Sequence, residues 1–233
     1  VNGLTGLVSE PIEPGKCFAF FDVDETLITL KSMFDFFPFW CERQKSPELR
    51  QRFDAAFAEA REEARSREHL NRLYYGFFQL ESMSALEAAG REWFESRFCG
   101  LRSPYIEQVV AQLKAHQKAG EVPVLVSGSM LPLLEPLAIS LQVEHCLCTK
   151  LMVDAYGRLT GDIESPQTIG QGKAEAIRVF LQQNNGAAQD CYAYGDDVSD
   201  LPMLEAVGKP VAVGGVSELT VLAVSRGWRH LRL

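Results

Sequence analysis

Two carboxylates two residues apart, at the end of an apolar run, are the strongest chemical signal in this chain: Phe20-Phe21-Asp22-Val23-Asp24-Glu25-Thr26-Leu27. An acid at the end of a buried strand is costly unless a cation or a hydrogen-bond network compensates it. The pair therefore points to a metal-assisted site. In such a site one carboxylate can attack and its neighbour can move protons.

Three more clusters carry chemistry-bearing residues. Ser127-Gly128-Ser129 follows the apolar run from Val122, Gly170-Gln171-Gly172-Lys173 delivers a lysine to a helix start, and Gly195-Asp196-Asp197-Val198-Ser199-Asp200 ends another apolar run. Each alone has a plain reading: a capped turn, a strand-to-helix turn, a surface lysine on a loop, an acidic turn. The lysine loop is no P-loop, because the upstream glycine and the Ser or Thr after the lysine are both missing. Together, in this order and at or near strand ends, the clusters suggest one site, because ligands in open α/β sheets bind beyond the carboxyl ends of the strands.

The elements that must position them can be read from periodicity. Cys17 to Asp22 is apolar enough to be a strand buried on both faces, Val122 to Ser127 reads as another buried strand, and Cys191 to Tyr194 and Val211 to Val213 read as strands. Thr149 to Ile163 reads as two short strands around a turn at Asp154 to Gly157, and Trp228 to Leu231 as a last strand. Helices are expected over Pro104 to Ala119, Leu131 to Leu141, Lys173 to Gln183, Leu201 to Val207 and Glu218 to Arg226. Ser46-Pro47 is a helix start, with Ser as N-cap and Pro at the first helical position. Leu49, Phe53, Phe57, Ala60 and Ala64 follow at helical spacing, and the helical pattern continues to about Phe98.

This alternation predicts an α/β fold: a doubly wound, Rossmann-like parallel sheet with an inserted small all-helical cap domain. Residues 1–31 and 103–233 would form the core, and residues 32–102 the cap. The cap aromatics Phe34, Phe36, Phe37, Phe39 and Trp40 read mainly as packing. Arg61, Arg65, Arg67 and Arg72 have two readings, contact with an anion or, favoured, a solvated helix face, and Tyr74 and Tyr75 stay open.

Bulk properties narrow the partners. The 233 residues carry a formal net charge of −8, with 46% hydrophobic and 23% charged residues, so no global basic field exists for nucleic acid. No apolar run reaches the ~18–20 residues of a membrane span. Val1 to Gly15 lacks the charged-then-apolar pattern of a leader peptide. The 6 cysteines are scattered, as expected for free buried thiols in a reducing cytoplasm. The four histidines are dispersed, and no pair of them has metal-ligand spacing. Oligomeric state is not legible.

The four clusters resemble motifs one to four of the haloacid dehalogenase-like superfamily, and more narrowly its phosphoserine-phosphatase-like branch, which carries a helical cap after motif one. The resemblance extends to Asp200-Leu201-Pro202-Met203-Leu204 and to Gly227-Trp228. It implies a Mg²⁺-dependent phosphomonoesterase acting on a small phosphorylated metabolite. Asp22 would be the nucleophile and form an aspartyl-phosphate, and Asp24 would be the general acid and base. Mg²⁺ would take the Asp22 side chain, the Asp24 carbonyl and Asp196, with Asp200 fixing these ligands or Lys173. Ser127 and the Gly128 amide would hold phosphate oxygens, Lys173 would neutralise charge, and Thr26 would orient the motif-one loop.

Two positions depart from the branch. Asp197 stands where the phosphoserine phosphatases usually have Gly, and is read either as an extra water-mediated ligand or as a turn residue. Lys31 stands where they typically carry a Glu that pairs the substrate ammonium, so phosphoserine is expected to be a poor substrate. The alternatives on this scaffold are a phosphotransferase or a non-catalytic Mg²⁺-binding relative. A serine hydrolase is disfavoured because no Gly-x-Ser-x-Gly elbow exists. Dehalogenation is disfavoured because the superfamily's dehalogenases lack the aspartate present here as Asp24.

Overall fold

β1, Phe18–Asp22, is buried at all five positions and pairs in parallel on both sides. Its side chains alternate as a pleated strand requires. Phe18 and Phe20 join one apolar cluster, while Ala19 and Phe21 join another on the opposite face. The computed structural model describes residues 17–100 and 102–233. The reading of Val1 to Gly15 therefore lies outside the described residues.

The other strands are β2 (Val122–Met130), β3 (His145–Thr149), β4 (Leu151–Val153), β5 (Leu159–Ile163), β6 (Tyr192–Gly195), β7 (Lys209–Val213) and β8 (Arg229–Leu231). Five of them join β1 in a six-stranded parallel sheet in the order β3-β2-β1-β6-β7-β8, and β4 and β5 pair as a separate antiparallel hairpin. The helices are α1 (Ser32–Arg43), α2 (Pro47–Glu62), α3 (Arg67–Gly76), α4 (Met83–Phe98), α5 (Glu107–Lys118), α6 (Leu131–Leu141), α7 (Gln171–Gln183), α8 (Leu201–Glu205) and α9 (Glu218–Ser225).

Both sheet faces are covered, so the core is an α/β sandwich of the doubly wound, Rossmann-like kind. Ile177, Met203 and Leu219 bring α7, α8 and α9 onto the Phe20 face; Leu113 and Leu137 bring α5 and α6 onto the Phe21 face. The chain leaves β1 and returns at β2 on one side and β6 on the other. That switch point opens a crevice beyond the carboxyl ends of the strands.

Helices α1 to α4 follow β1 without an intervening strand. Their starts have local causes. Ser46, Ser66 and Ser82 each accept a hydrogen bond from a first-turn amide, and Pro47 opens α2. Aromatic packing joins them: Phe37 stacks on Phe53 with ring centroids 3.9 Å apart, and Phe36 meets Trp93 edge-on. Phe36, Phe37 and Trp40 are buried as expected, whereas Phe34 is partly exposed.

The helices share one apolar cluster with the sheet through α4 and α6. Gly90 of α4 lies so close to α6 that a Cβ there would sit 2.1 Å from the Pro132 carbonyl oxygen. Gly90→Ala is expected to destabilise by about 1–3 kcal/mol. Thermal unfolding checks this, at roughly 2–4 °C per kcal/mol for a chain of this size; an unchanged midpoint would contradict the close approach.

Three readings are corrected. The segment His145–Thr149 was not recognised as a strand, yet it forms the sheet edge against β2. The helix expected from Pro104 starts at Glu107, because Tyr105 is drawn into a bridge with Ile28. The thiols are free but not all buried, since Cys99 is exposed.

Candidate active site

After Asp22 the chain folds back on itself. The Val23 carbonyl accepts hydrogen bonds from the Leu27 and Ile28 amides at 2.8 and 3.0 Å, and Glu25 takes a left-handed φ of 63° to close the turn. This strained turn carries Asp24 on a short loop beside Asp22. Oδ1 of Asp24 is buried without a hydrogen-bond partner. Burial pushes the Asp24 carboxyl up to about 6, with the nearby Ser32 pulling the other way.

Lys173 enters from the first turn of α7. Its Nζ donates to Asp22 Oδ1 at 2.5 Å and to Asp200 Oδ1 at 2.6 Å, and all three side chains are buried. Gly172 makes this entry possible, since any Cβ there would overlap the Gln167 carbonyl oxygen at 1.7 Å. Burial opposes the charge on Lys173, but Asp200 and Asp22 outweigh it and keep the ammonium firmly protonated. One ammonium cannot balance both acids. Burial and the neighbouring Asp200 still hold the Asp22 carboxyl above its ordinary range.

Asp196 follows β6 and accepts a hydrogen bond from the Thr26 hydroxyl at 2.7 Å. Burial pushes it up to about 6 although Thr26 opposes the shift. Carboxylate oxygens of Asp22, Asp196 and Asp200 lie within 4.8 Å of one another. The result is a buried acidic cluster short of positive charge. Its donors are oxygens alone, a set that suits a hard cation such as Mg²⁺.

Ser127 and Ser129 form the opposite wall. The Ser129 amide donates to the Ser127 hydroxyl at 3.0 Å, and Ser32 donates to the Ser129 hydroxyl at 3.1 Å. The Gly128 carbonyl is drawn back from the helical side and from β3: it accepts from Asn71 Nδ2, the Tyr75 hydroxyl and Thr149 Oγ1, at 2.8–2.9 Å.

These residues surround one cleft of about 360 Å³. Asp22, Asp24, Ser127, Gly128, Lys173, Asp196, Asp197, Asp200 and Lys31 all line it, and Thr26 stands one hydrogen bond behind Asp196. Asp197 is tied up in two ways. It caps the turn Val198–Asp200 by accepting from the Ser199 amide at 2.9 Å, and it pairs with Arg67 at 3.0 Å. Burial alone would raise its pKa, but Ser199 and Arg67 together hold it below the usual carboxylate range. Lys31 pairs with Glu25 at 3.0 Å.

From sequence, a solvated face is favoured over anion contact for Arg61, Arg65, Arg67 and Arg72. Arg61 and Arg67 are exposed, but both line the cleft, and Arg67 bridges α3 to the Asp197 turn. Asn71 was missed altogether and Tyr75 was left open. A signal existed: Arg67, Asn71 and Tyr75 recur every fourth residue, which puts three polar groups on one stripe of α3.

A parallel sheet whose switch-point crevice holds this acid cluster, lysine and serine wall defines a class, and comparison with known proteins agrees. The model of the haloacid dehalogenase-like hydrolase family matches residues 19–205. The chain belongs to that family. Within it the protein is an enzyme of the phosphatase class, in the phosphoserine-phosphatase-like branch. A probable phosphatase of Mycobacterium tuberculosis is 31% identical over 219 residues, covering 90% of this chain and 73% of that protein. The inhibition of morphological differentiation protein of Streptomyces azureus is 35% identical over 122 residues, covering 52% of this chain but only 44% of that longer protein. A solved Bordetella pertussis protein of unknown function superposes with a TM-score of 0.82 at 27% identity, covering 93% of this chain and 98% of that one. A phosphoserine phosphatase in apo form shares the fold, with a TM-score of 0.59 at 19% identity over 85% of this chain and 86% of that one.

Proposed function

We propose that this protein is a Mg²⁺-dependent phosphomonoesterase that works through an aspartyl-phosphate on Asp22. The observation that carries this reading is the charge imbalance at the cleft floor. Asp22, Asp24, Asp196 and Asp200 meet there around the Lys173 ammonium, beside the Ser127–Ser129 wall. Such a floor accepts a dianionic phosphate only when more positive charge is supplied.

The side chains of Asp22 and Asp196 and the carbonyl of Asp24 would hold Mg²⁺, with Asp200 anchoring Lys173 behind them. Bound there, the ion would neutralise charge on the phosphoryl oxygens. In the first step an Asp22 oxygen attacks phosphorus and the bond to the leaving oxygen breaks. Asp24 gives its proton to that oxygen. In the second step Asp24 takes a proton from water, the water oxygen attacks phosphorus, and the Asp22–phosphorus bond breaks. A carboxyl pushed up to about 6 by burial suits both halves of this cycle. Ser127 and the Gly128 amide hold phosphoryl oxygens, and Lys173 keeps Asp22 oriented.

Residues 32–102 act as a cap over the cleft, excluding bulk water and reading the leaving group. The six free thiols support a reducing compartment such as the cytoplasm. The test is phosphate release from a panel of small phosphomonoesters, with and without chelator. Release that needs Mg²⁺, stops with EDTA and returns on adding Mg²⁺ is expected; metal-independent release, or none, would refute the reading.

A further inference from the structure

The roof of the cleft has a charge signature of its own. Every charged side chain that α1 to α3 and the residue before α1 contribute to the lining is a cation: Lys31, Arg61 and Arg67. Two of them are already committed to acids of the core, Lys31 to Glu25 and Arg67 to Asp197, each at 3.0 Å. Arg61 has no ion pair among the described residues, and its guanidinium sits 5.9 Å from the Phe57 ring centre. The helix positions one turn before it on α2 are Phe57 and Ala58, and α2 stops one residue after it. Neither is an acid, so no side chain one turn back on its own helix pairs with it. The rest of the roof lining includes the apolar Met33, Phe34 and Leu70.

From this asymmetry we infer that Arg61 determines specificity, and that the preferred substrate carries a second anionic group, a carboxylate or a further phosphate, on its leaving group. The inference rests on the phosphomonoesterase reading and deepens it. With the phosphoryl group on the acidic floor, the leaving group points to the roof. A fork-shaped guanidinium there recognises a carboxylate or phosphate in two-point fashion. An ammonium would instead meet a cation that no acid balances.

The experiment compares kcat/KM for 3-phosphoglycerate, 1,3-propanediol bisphosphate, n-propyl phosphate and phosphoethanolamine, with p-nitrophenyl phosphate as a general reporter. The first two separate the carboxylate and phosphate sources of the anion. In the wild type at least one of them is expected to exceed n-propyl phosphate by about tenfold or more, with phosphoethanolamine last. Raising the salt concentration should shrink that ratio. Arg61→Ala should lower the ratio about tenfold, chiefly through KM, Arg61→Lys should restore part of it, and Arg61→Glu should reverse it. The inference is overturned by a ratio that Arg61→Ala leaves unchanged, or by phosphoethanolamine as the best substrate. Release from no probe, the reporter included, overturns the hydrolase reading and this inference with it.

Discussion

Asp22→Asn should abolish phosphate release, by roughly 10⁴–10⁶ in kcat if Asp22 is the attacking group. An amide oxygen is a poor nucleophile, and no other carboxylate ends β1. The substitution keeps the side-chain volume and leaves Lys173 its bond to Asp200. It also removes a charge that burial makes costly. The variant should therefore fold and keep a thermal midpoint close to that of the wild type, which separates lost chemistry from lost structure. Steady-state phosphate release beside a melting curve checks it. A variant as fast as the wild type would remove Asp22 from the chemistry.

Lys173→Met should damage both stability and turnover. Without the ammonium, Asp22 and Asp200 face each other with carboxylate oxygens within 4.8 Å. Leaving buried charges uncompensated costs about 3–5 kcal/mol, or roughly 6–20 °C in thermal midpoint. Loss of the charge at the phosphoryl group should lower kcat by about 10²–10³. The pH dependence has a definite sign. Burial and Asp200 hold the Asp22 carboxyl above its ordinary range, and the variant loses the ammonium that opposes them, so the stability deficit shrinks on acidification and grows as pH rises from the unfolded to the folded pKa of Asp22. Melting curves from acid to neutral pH, with and without Mg²⁺, check this; the divalent ion should recover part of the loss. A deficit that deepens on acidification would contradict the charge argument.

The contrast between what the sequence revealed and what it hid has a physical basis. β1, β2, α6 and α7 were legible because each is an apolar run or stripe long enough to set its own period. The four clusters were legible because strand ends and helix starts have local signatures. His145–Thr149 was not, because a short edge strand straight after a helix has neither alternation nor a turn residue before it. Its identity comes from pairing with β2. The Arg67–Asp197 bridge was hidden for a related reason: it joins residues 130 positions apart, and nothing near either one announces the other. Lys31 and Glu25 lie on either side of the motif-one turn, so their pairing was within reach of a local reading.

The most direct test is to quench a turnover reaction in acid, reduce the acyl-phosphate with borohydride, and locate the modified residue by peptide mass spectrometry. Reduction of an aspartyl-phosphate converts that aspartate to homoserine. The account predicts homoserine at position 22 in the wild type, only when substrate and Mg²⁺ are both present, and none in Asp22→Asn. Turnover with an unmodified Asp22, or phosphate found on Ser127, would contradict it.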